Sequence, residues 1–400
     1  MKKSYYIFIL FTLFIFCNKQ PTEPLQINEE ITPQIISHEH TVGFSGMILK
    51  FFAHGFTHSL DDFIFKDVQG IKIIYQTVDQ YNEPIEASGM LIIPENFDGN
   101  GPLVSLQHSA LAEDSKAPSN SDLGVNELTY ASIIAAMGAV VAVPDYIGYG
   151  HSSNHKHPYQ LKENTARTTY DFLLVSEEYL KNNNRRTNGD LFLTGYAQGA
   201  DASLALHEKI VKENQLKVTH SIAGGGIFNI NAFFKELLIK NENIPLMETY
   251  VWILEVLNST YPSLQRPMDF YFNEPYATNL SQITKINEPI KINLIHPNPQ
   301  KLFKKEFIEN FINGKDTALL EAITEQGVID WKPEAPVTII QGTSESCLYK
   351  SSGVRAYNQI QARGGNITYV PLEEKNHVGA VIPYLLGTFE IIFSQLELYE

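Results

Sequence analysis

The chain has 400 residues, which is enough for one α/β domain with an insertion. With 44% hydrophobic and 19% charged residues, its composition is that of a globular protein with a large apolar core. Because 45 acidic residues outnumber 30 basic ones, the formal charge is −15. This balance argues against a general affinity for nucleic acid or for anionic membrane surfaces, and no nucleic-acid partner is expected.

The first residues have the pattern of an export signal. Two lysines precede an apolar run over Tyr5–Phe16, and Cys17 follows directly. The run is shorter than the roughly 20 residues that a membrane-spanning helix needs. A cysteine after such a run resembles a bacterial lipoprotein signal, although the two residues before it are bulky rather than small. We therefore expect residues 1–17 to be a lipoprotein-type signal with lipidation at Cys17.

This signal predicts an exported lipoprotein of the cell envelope, in the outer membrane or the periplasm. The lipid anchor would be its only contact with a membrane. Plain secretion and an uncleaved anchor remain alternatives.

Residues 18–45 are polar, contain three prolines and show no periodicity, so they are predicted to be a disordered tether. A His-Glu-His run at residues 38–40 has no further ligand cluster nearby, and no metal site is predicted. The second cysteine, Cys347, is expected to be a free structural thiol, because lipid on Cys17 leaves no pair for a disulfide. No cofactor is expected.

From residue 46 onward, predicted strands and helices alternate. The predicted strands cover residues 71–78, 86–93, 103–107, 139–143, 191–195, 218–223, 337–340 and 367–372. The predicted helices cover residues 127–137, 162–182, 200–214, 351–363 and 379–396. The first two strands read as a hairpin, whereas helices of ten or more residues separate the later ones and require parallel pairing. The pattern predicts an α/β fold with a mainly parallel sheet flanked by helices.

The stretch 231–330 breaks this alternation. It has short helical patches, loops rich in Asn and Pro, and many aromatic residues. We predict a mostly helical lid insertion that divides the core into residues 46–230 and 331–400. The aromatic residues suit acyl chains, but aromatic stripes more often form core packing.

The stretch 191–202 (LFLTGYAQGADA) has the pattern of a nucleophile elbow. An apolar strand breaks at Gly195, and a helical pattern begins at Ala200. Gly195 and Gly199 bracket Ala197 as two glycines bracket the serine in G-x-S-x-G. Since a methyl group cannot attack a carbonyl, the pattern predicts the turn without its nucleophile.

An acidic residue and a histidine follow the last two predicted strands. Glu345 comes after the strand that ends near residue 340, and His377 comes after the final strand. Nucleophile, acid and histidine occur in this order in α/β-hydrolases. Because the carboxyl ends of parallel strands meet at one edge of a sheet, Ala197, Glu345 and His377 are expected to lie together.

The chain resembles the secretory-lipase and prolyl-peptidase-like branch of the α/β-hydrolase superfamily. The resemblance rests on six blocks: Gln107-His108, residues 144–150 (PDYIGYG), His157-Pro158-Tyr159, residues 194–199 (TGYAQG), residues 342–345 (GTSE) and Asn376-His377. It implies that Ala197 stands at the nucleophile position, that His377 is the general base and that Glu345 orients it. It also implies an oxyanion hole formed by the N–H of Gln198 and by the loop at Ser109.

Several positions depart from the family pattern. Alanine replaces serine at 197 and glycine at 200, serine replaces glycine at 109, and glutamate replaces aspartate at 345. In a triad enzyme, loss of the serine alone lowers turnover by a factor on the order of 10⁶. Tyr196 is expected to point away from His377, and Asp201 to serve its helix N-terminus rather than chemistry.

We therefore predict an exported esterase- or lipase-like protein that is catalytically impaired and retains a pocket for an acyl ester or lipid. Two alternatives stay open. One is an active carboxylic-ester hydrolase or peptidase with an engineered or non-standard nucleophile. The other is a lipid-anchored, non-catalytic surface scaffold.

Overall fold

The computed structural model describes residues 31–41, 43–124, 126–282, 291–344 and 349–394. These residues include nine strands, namely β1 (Ile35–His40), β2 (Val68–Val78), β3 (Pro84–Pro94), β4 (Leu103–Gln107), β5 (Val140–Pro144), β6 (Leu191–Tyr196), β7 (His220–Gly224), β8 (Val337–Gly342) and β9 (Ile367–Leu372). They form one sheet in the order β1-β2-β3-β5-β4-β6-β7-β8-β9. The first three strand pairs in that order are antiparallel, and the other five are parallel. The prediction of a mainly parallel sheet is confirmed.

The helices cover both faces of this sheet. They are α1 (Gly46–Phe56), α2 (Glu127–Ala136), α3 (Lys162–Asn182), α4 (Gln198–Glu213), α5 (Ile230–Leu238), α6 (Met247–Thr260), α7 (Met268–Tyr271), α8 (Tyr276–Ser281), α9 (Pro299–Leu302), α10 (Lys305–Ile312), α11 (Thr317–Glu325), α12 (Tyr349–Ala362) and α13 (Val381–Ser394). Apolar residues of α1, α2 and α13 pack on one face, and those of α3, α4 and α12 on the other. Strands β4 and β5 are therefore buried along their whole length, as their continuous apolar runs predict.

Strand β1 corrects the predicted extent of the tether. Residues 35–40 were expected to lie in a disordered segment, but they pair antiparallel with β2, where Ile35 lies opposite Tyr75 and His40 opposite Ile71. The strand lies at the sheet edge and is largely exposed, so it shows no apolar alternation that the sequence could reveal. Its formation depends on the long β2 ladder beside it.

The chain between β7 and β8 is helical, as predicted, and comprises α5 to α11. Its aromatic residues form a core of their own, and several of them are fully buried: Phe233, Phe234, Trp252, Phe303 and Phe311. These rings hold the helices together, which favours the core-packing interpretation of the aromatic stripe. Among the described residues, none of the helices combines the length and apolarity that a membrane crossing requires.

A buried histidine attaches α4 to the sheet. His207 Nδ1 lies 2.9 Å from the hydroxyl of Ser221 on β7, and its ring packs edge-on against Trp331. Within the described part of the chain, His207 Nε2 has no hydrogen-bond partner. Burial lowers the pKa of His207 to about 3. The imidazole is therefore neutral in the folded protein at ordinary pH.

This histidine predicts a loss of stability in acid. Between pH 6.5 and about 4 the unfolded chain protonates His207 while the folded chain does not, so the free energy of unfolding falls as pH falls. One such histidine contributes about 1.4 kcal/mol per pH unit. We expect urea unfolding of His207→Asn to depend on pH less steeply than the unaltered chain, by about 1 kcal/mol per pH unit. Identical slopes would show that His207 is protonated in the folded state.

Candidate active site

The nucleophile position lies in a sharp turn between β6 and α4. Ala197 has φ 53° and ψ −116°, and α4 begins at the next residue, Gln198. A positive φ is unfavourable for any residue with a Cβ and costs about 1–3 kcal/mol. The N–H of Ala197 donates to Gly224 O at the end of β7 (2.8 Å), which fixes the turn against the neighbouring strand. The backbone thus has the strained conformation of an elbow, but the side chain is a methyl group.

Two glycines allow this turn to form. A Cβ on Gly195 would lie 2.2 Å from Gly199 O, and a Cβ on Gly199 would lie 2.0 Å from Gln107 O at the end of β4. Both contacts are with backbone atoms, which cannot rotate away. These distances explain why the turn requires glycine at both positions, as the elbow pattern predicts.

The elbow lies close to His377, and the side chain of Tyr196 contacts this histidine. The Tyr196 hydroxyl donates to His377 O (2.5 Å), and the two ring centroids are 5.2 Å apart. The expectation that Tyr196 points away from His377 is therefore wrong. Gly225 follows Gly224, whose carbonyl accepts the hydrogen bond from Ala197. A Cβ on Gly225 would lie 3.0 Å from His377 Cε1, so this histidine lies beside the turn. Burial lowers the pKa of His377 to about 4, so the imidazole is neutral and able to accept a proton at neutral pH.

Gln198, the predicted oxyanion donor, is held by a histidine from another predicted block. Its side-chain Nε2 lies 2.8 Å from Nε2 of His157, whose Nδ1 donates to Ile147 O (2.7 Å). Burial lowers the pKa of His157 to about 3, so its ring is neutral and Nε2 accepts. The side-chain oxygen of Gln198 is buried without a hydrogen-bond partner in the described ranges. As the first residue of α4, Gln198 also offers a helix N-terminal N–H group to an anion.

The second predicted oxyanion donor is already engaged. The N–H of Ser109 donates to Glu127 Oε1 (3.0 Å), and the Ser109 hydroxyl donates to the same oxygen. A cavity of about 80 Å³ lies beside these groups and is also lined by Thr194, Tyr196 and Tyr384. It is smaller than the 300–1,000 Å³ typical of ligand pockets. An oxyanion at Ser109 would have to displace the Glu127 carboxylate.

The PDYIGYG block is structural in this protein. The Asp145 carboxylate is buried and accepts from the Ser88 hydroxyl (2.5 Å) and the Ser119 N–H (2.8 Å). His108 Nε2 donates to Asp145 O (3.0 Å). Burial raises the pKa of Asp145, and the hydrogen bonds from Ser119 and Ser88 oppose this shift. At Gly150 a Cβ would lie 2.2 Å from Asp145 Oδ2. The block therefore fixes the loops that follow β4 and β5.

Asp201 also has a structural role. Its carboxylate accepts from the N–H groups of Phe228 (2.6 Å) and Ile227 (3.1 Å) and from Gln160 Nε2 (3.2 Å). Burial raises the pKa of Asp201 to about 6, although the three hydrogen bonds act to lower it. It joins the first turn of α4 to the loop after β7, which supports the non-catalytic interpretation.

The helical insertion (231–330) contacts the site through α6. Trp252 stacks on Tyr159, with ring centroids 4.3 Å apart and planes at 11°, and its ring lies 5.5 Å from that of His157. Because His157 holds Gln198, one chain of contacts runs from the insertion to the elbow. Sequence patterns did not indicate these contacts or the Glu127 contact at Ser109, since each joins residues distant in the chain.

Three predicted residues lie outside the described residues: Cys17, Glu345 and Cys347. Of the His-Glu-His run, His38 lies in β1 with its ring 5.0 Å from that of Tyr179. His151 Nε2 lies 2.9 Å from Glu86 Oε2 at the surface. Among the predicted site residues, the structure places Ala197, Gln198 and His377 around the elbow.

Similarity to known proteins agrees with this geometry. Residues 118–384 match the family model described as secretory lipase. Among solved structures, a "putative hydrolase" from Legionella pneumophila is similar with a TM-score of 0.78 and 20% identity, over 92% of this chain and 100% of that one. The rice cell wall degrading esterase LipA from Xanthomonas oryzae has a TM-score of 0.74 and 18% identity, over 91% and 98%.

Candida antarctica lipase A in its closed state is also similar, with a TM-score of 0.63 and 15% identity over 90% of this chain and 82% of that one. Curated protein sequences gave no match. At these identities the structures show a shared α/β-hydrolase fold, and the family model covers more than half of the chain. This protein therefore belongs to the secretory lipase family and has the α/β-hydrolase fold.

Proposed function

We propose that this protein is an exported, esterase- or lipase-like hydrolase that has lost its nucleophile and binds an acyl ester or lipid without efficient turnover. The observation that carries the proposal is Ala197 in the strained elbow conformation. A serine there would present its hydroxyl at the carboxyl edge of the sheet, whereas alanine keeps the strained backbone and supplies no attacking atom.

The surroundings of the elbow support retained binding. His377 is near the turn and neutral, and Gln198 begins α4, where its backbone N–H can donate to an ester carbonyl. Trp252 and Tyr159, both buried, pack against the His157 ring that holds Gln198, so the elbow lies next to an apolar cluster. An ester has both an apolar chain and a polar carbonyl group, so it suits such surroundings.

We also propose where this protein is located in the cell. The secretory lipase family favours export, and the N-terminal pattern favours a lipid anchor at Cys17. We propose anchoring at the cell envelope, with plain secretion as the alternative. Mass spectrometry of the mature protein would distinguish them, because lipidation adds acyl mass to an N-terminal cysteine.

Calorimetric titration with p-nitrophenyl hexyl ether, an uncleavable analogue of a hexanoate ester, tests retained binding. We expect saturable 1:1 binding, because recognition of an acyl chain beside the elbow does not require the missing hydroxyl. Absence of binding would favour the scaffold alternative.

Hydrolysis of p-nitrophenyl butyrate by the unaltered chain tests the loss of turnover. We expect only the background rate. Turnover that is abolished by His377→Ala and retained by His155→Ala, which removes an exposed histidine, would favour the active-enzyme alternative.

A further inference from the structure

The side chains of His54, His58 and Asp61 converge at the end of α1, far from the elbow in sequence. His54 Nδ1 lies 2.9 Å from Asp61 Oδ1, and His58 Nδ1 lies 3.3 Å from Asp61 Oδ2. The two imidazole ring centroids are 4.4 Å apart. One ligand atom from each residue lies within 4.8 Å of the other two. Two imidazole rings and a carboxylate thus share one small volume at the surface.

These separations suit a small divalent cation. In a tetrahedral site with bonds of 2.0–2.1 Å, neighbouring ligand atoms are about 3.3 Å apart. The two histidine–aspartate distances, which run to different carboxylate oxygens, lie near this value, and one ligand atom from each residue lies within 4.8 Å of the other two. Side-chain rotations can therefore bring the three ligand atoms around one ion. Imidazole nitrogen and carboxylate oxygen are ligands that Zn²⁺ accepts, and three protein ligands leave a fourth position for water.

The backbone holds the three residues in place. Thr57 ends α1 by donating its N–H to Ala53 O (2.9 Å), and its side chain accepts from the N–H of Ser59 (3.1 Å). The N–H of Asp61 donates to His58 O (3.2 Å), which closes a 3₁₀ turn. Because the three ligands are close together in the sequence, an ion that binds them closes only a short loop, and little chain entropy is lost.

Electrostatics at this position favour a cation. His54 lies in the last turn of α1, where the helix dipole is negative, and the whole chain has a formal charge of −15. All three residues are accessible to an ion from solvent.

We propose that His54, His58 and Asp61 form a surface site for a divalent transition-metal ion of the zinc type. The ion would join the end of α1 to the following 3₁₀ turn. This site is separate from the elbow, so the proposal does not rest on the proposed function.

Calorimetric titration of the full chain with zinc chloride at pH 7.5 tests the proposal. The expected result is saturable binding of one ion that weakens by about tenfold or more in His54→Ala, His58→Ala and Asp61→Asn. His151→Ala is the matched control, because His151 contacts a single carboxylate at 2.9 Å with similar exposure, and it should leave binding unchanged. Circular dichroism checks that each variant is folded.

A second measurement separates the site from loose surface binding. Zinc should raise the melting temperature of the unaltered chain and of His151→Ala but not of His54→Ala. The proposal is overturned if the unaltered chain shows no saturable binding, or if His54→Ala and His58→Ala bind zinc as tightly as the unaltered chain.

Discussion

Ala197→Ser is expected to raise the hydrolysis of p-nitrophenyl butyrate by at least about 10²-fold over the unaltered chain. The substitution places a hydroxyl in an elbow whose backbone is already strained, close to a neutral histidine. Loss of the serine costs triad enzymes on the order of 10⁶ in turnover. The gain is expected to be smaller here, because Ser109 is engaged by Glu127. Initial rates at saturating ester measure the effect.

The matched control for this substitution is Ala197→Gly. Glycine adopts the positive φ of this position without strain but has no nucleophile, so it should improve stability and leave hydrolysis at background. Since burial lowers the pKa of His377 to about 4, the activity of Ala197→Ser should persist down to about that pH. Equal rates of hydrolysis by Ala197→Ser and Ala197→Gly would contradict the proposal that the site around position 197 is retained.

Gly199→Ala is expected to lower the free energy of unfolding by about 3 kcal/mol or more. Its new methyl group would lie 2.0 Å from Gln107 O, and the end of β4 would have to move away from α4. Urea unfolding monitored by circular dichroism measures the loss.

Gly55→Ala is the control for that substitution. Gly55 lies within α1, and a Cβ there would meet no atom within 4 Å. Alanine is favoured over glycine in a helix interior, so this variant should gain about 0.5–1 kcal/mol. A small effect of Gly199→Ala, comparable with that of Gly55→Ala, would show that the elbow is not packed against β4 as described.

Much of the fold could be predicted because its signals are local. The apolar runs of β4, β5 and β6 and the helical periodicity between them are enough to predict a parallel sheet. Gly195 and Gly199 revealed the elbow because their spacing reflects a steric requirement of the turn itself. The helical character of the insertion could likewise be predicted from its short apolar patches.

Contacts between distant residues could not be predicted. Tyr196 turns toward His377 because the loop after β9 presents a carbonyl group to its hydroxyl. The Ser109 N–H is engaged because α2 begins with Glu127 beside it. The edge strand β1 depends on pairing with β2, which its own exposed residues do not indicate. In each case the partner is set by tertiary packing rather than by local pattern.

We propose above all that the site lacks its nucleophile but keeps its elbow and its neutral histidine, His377. Intact-protein mass spectrometry after treatment with a fluorophosphonate tests this most directly, because the reagent labels only activated hydroxyls. We expect one adduct on Ala197→Ser, mapped to position 197, and no adduct on the unaltered chain or on Ala197→Ser combined with His377→Ala. An adduct on the unaltered chain, or none on Ala197→Ser, would contradict it.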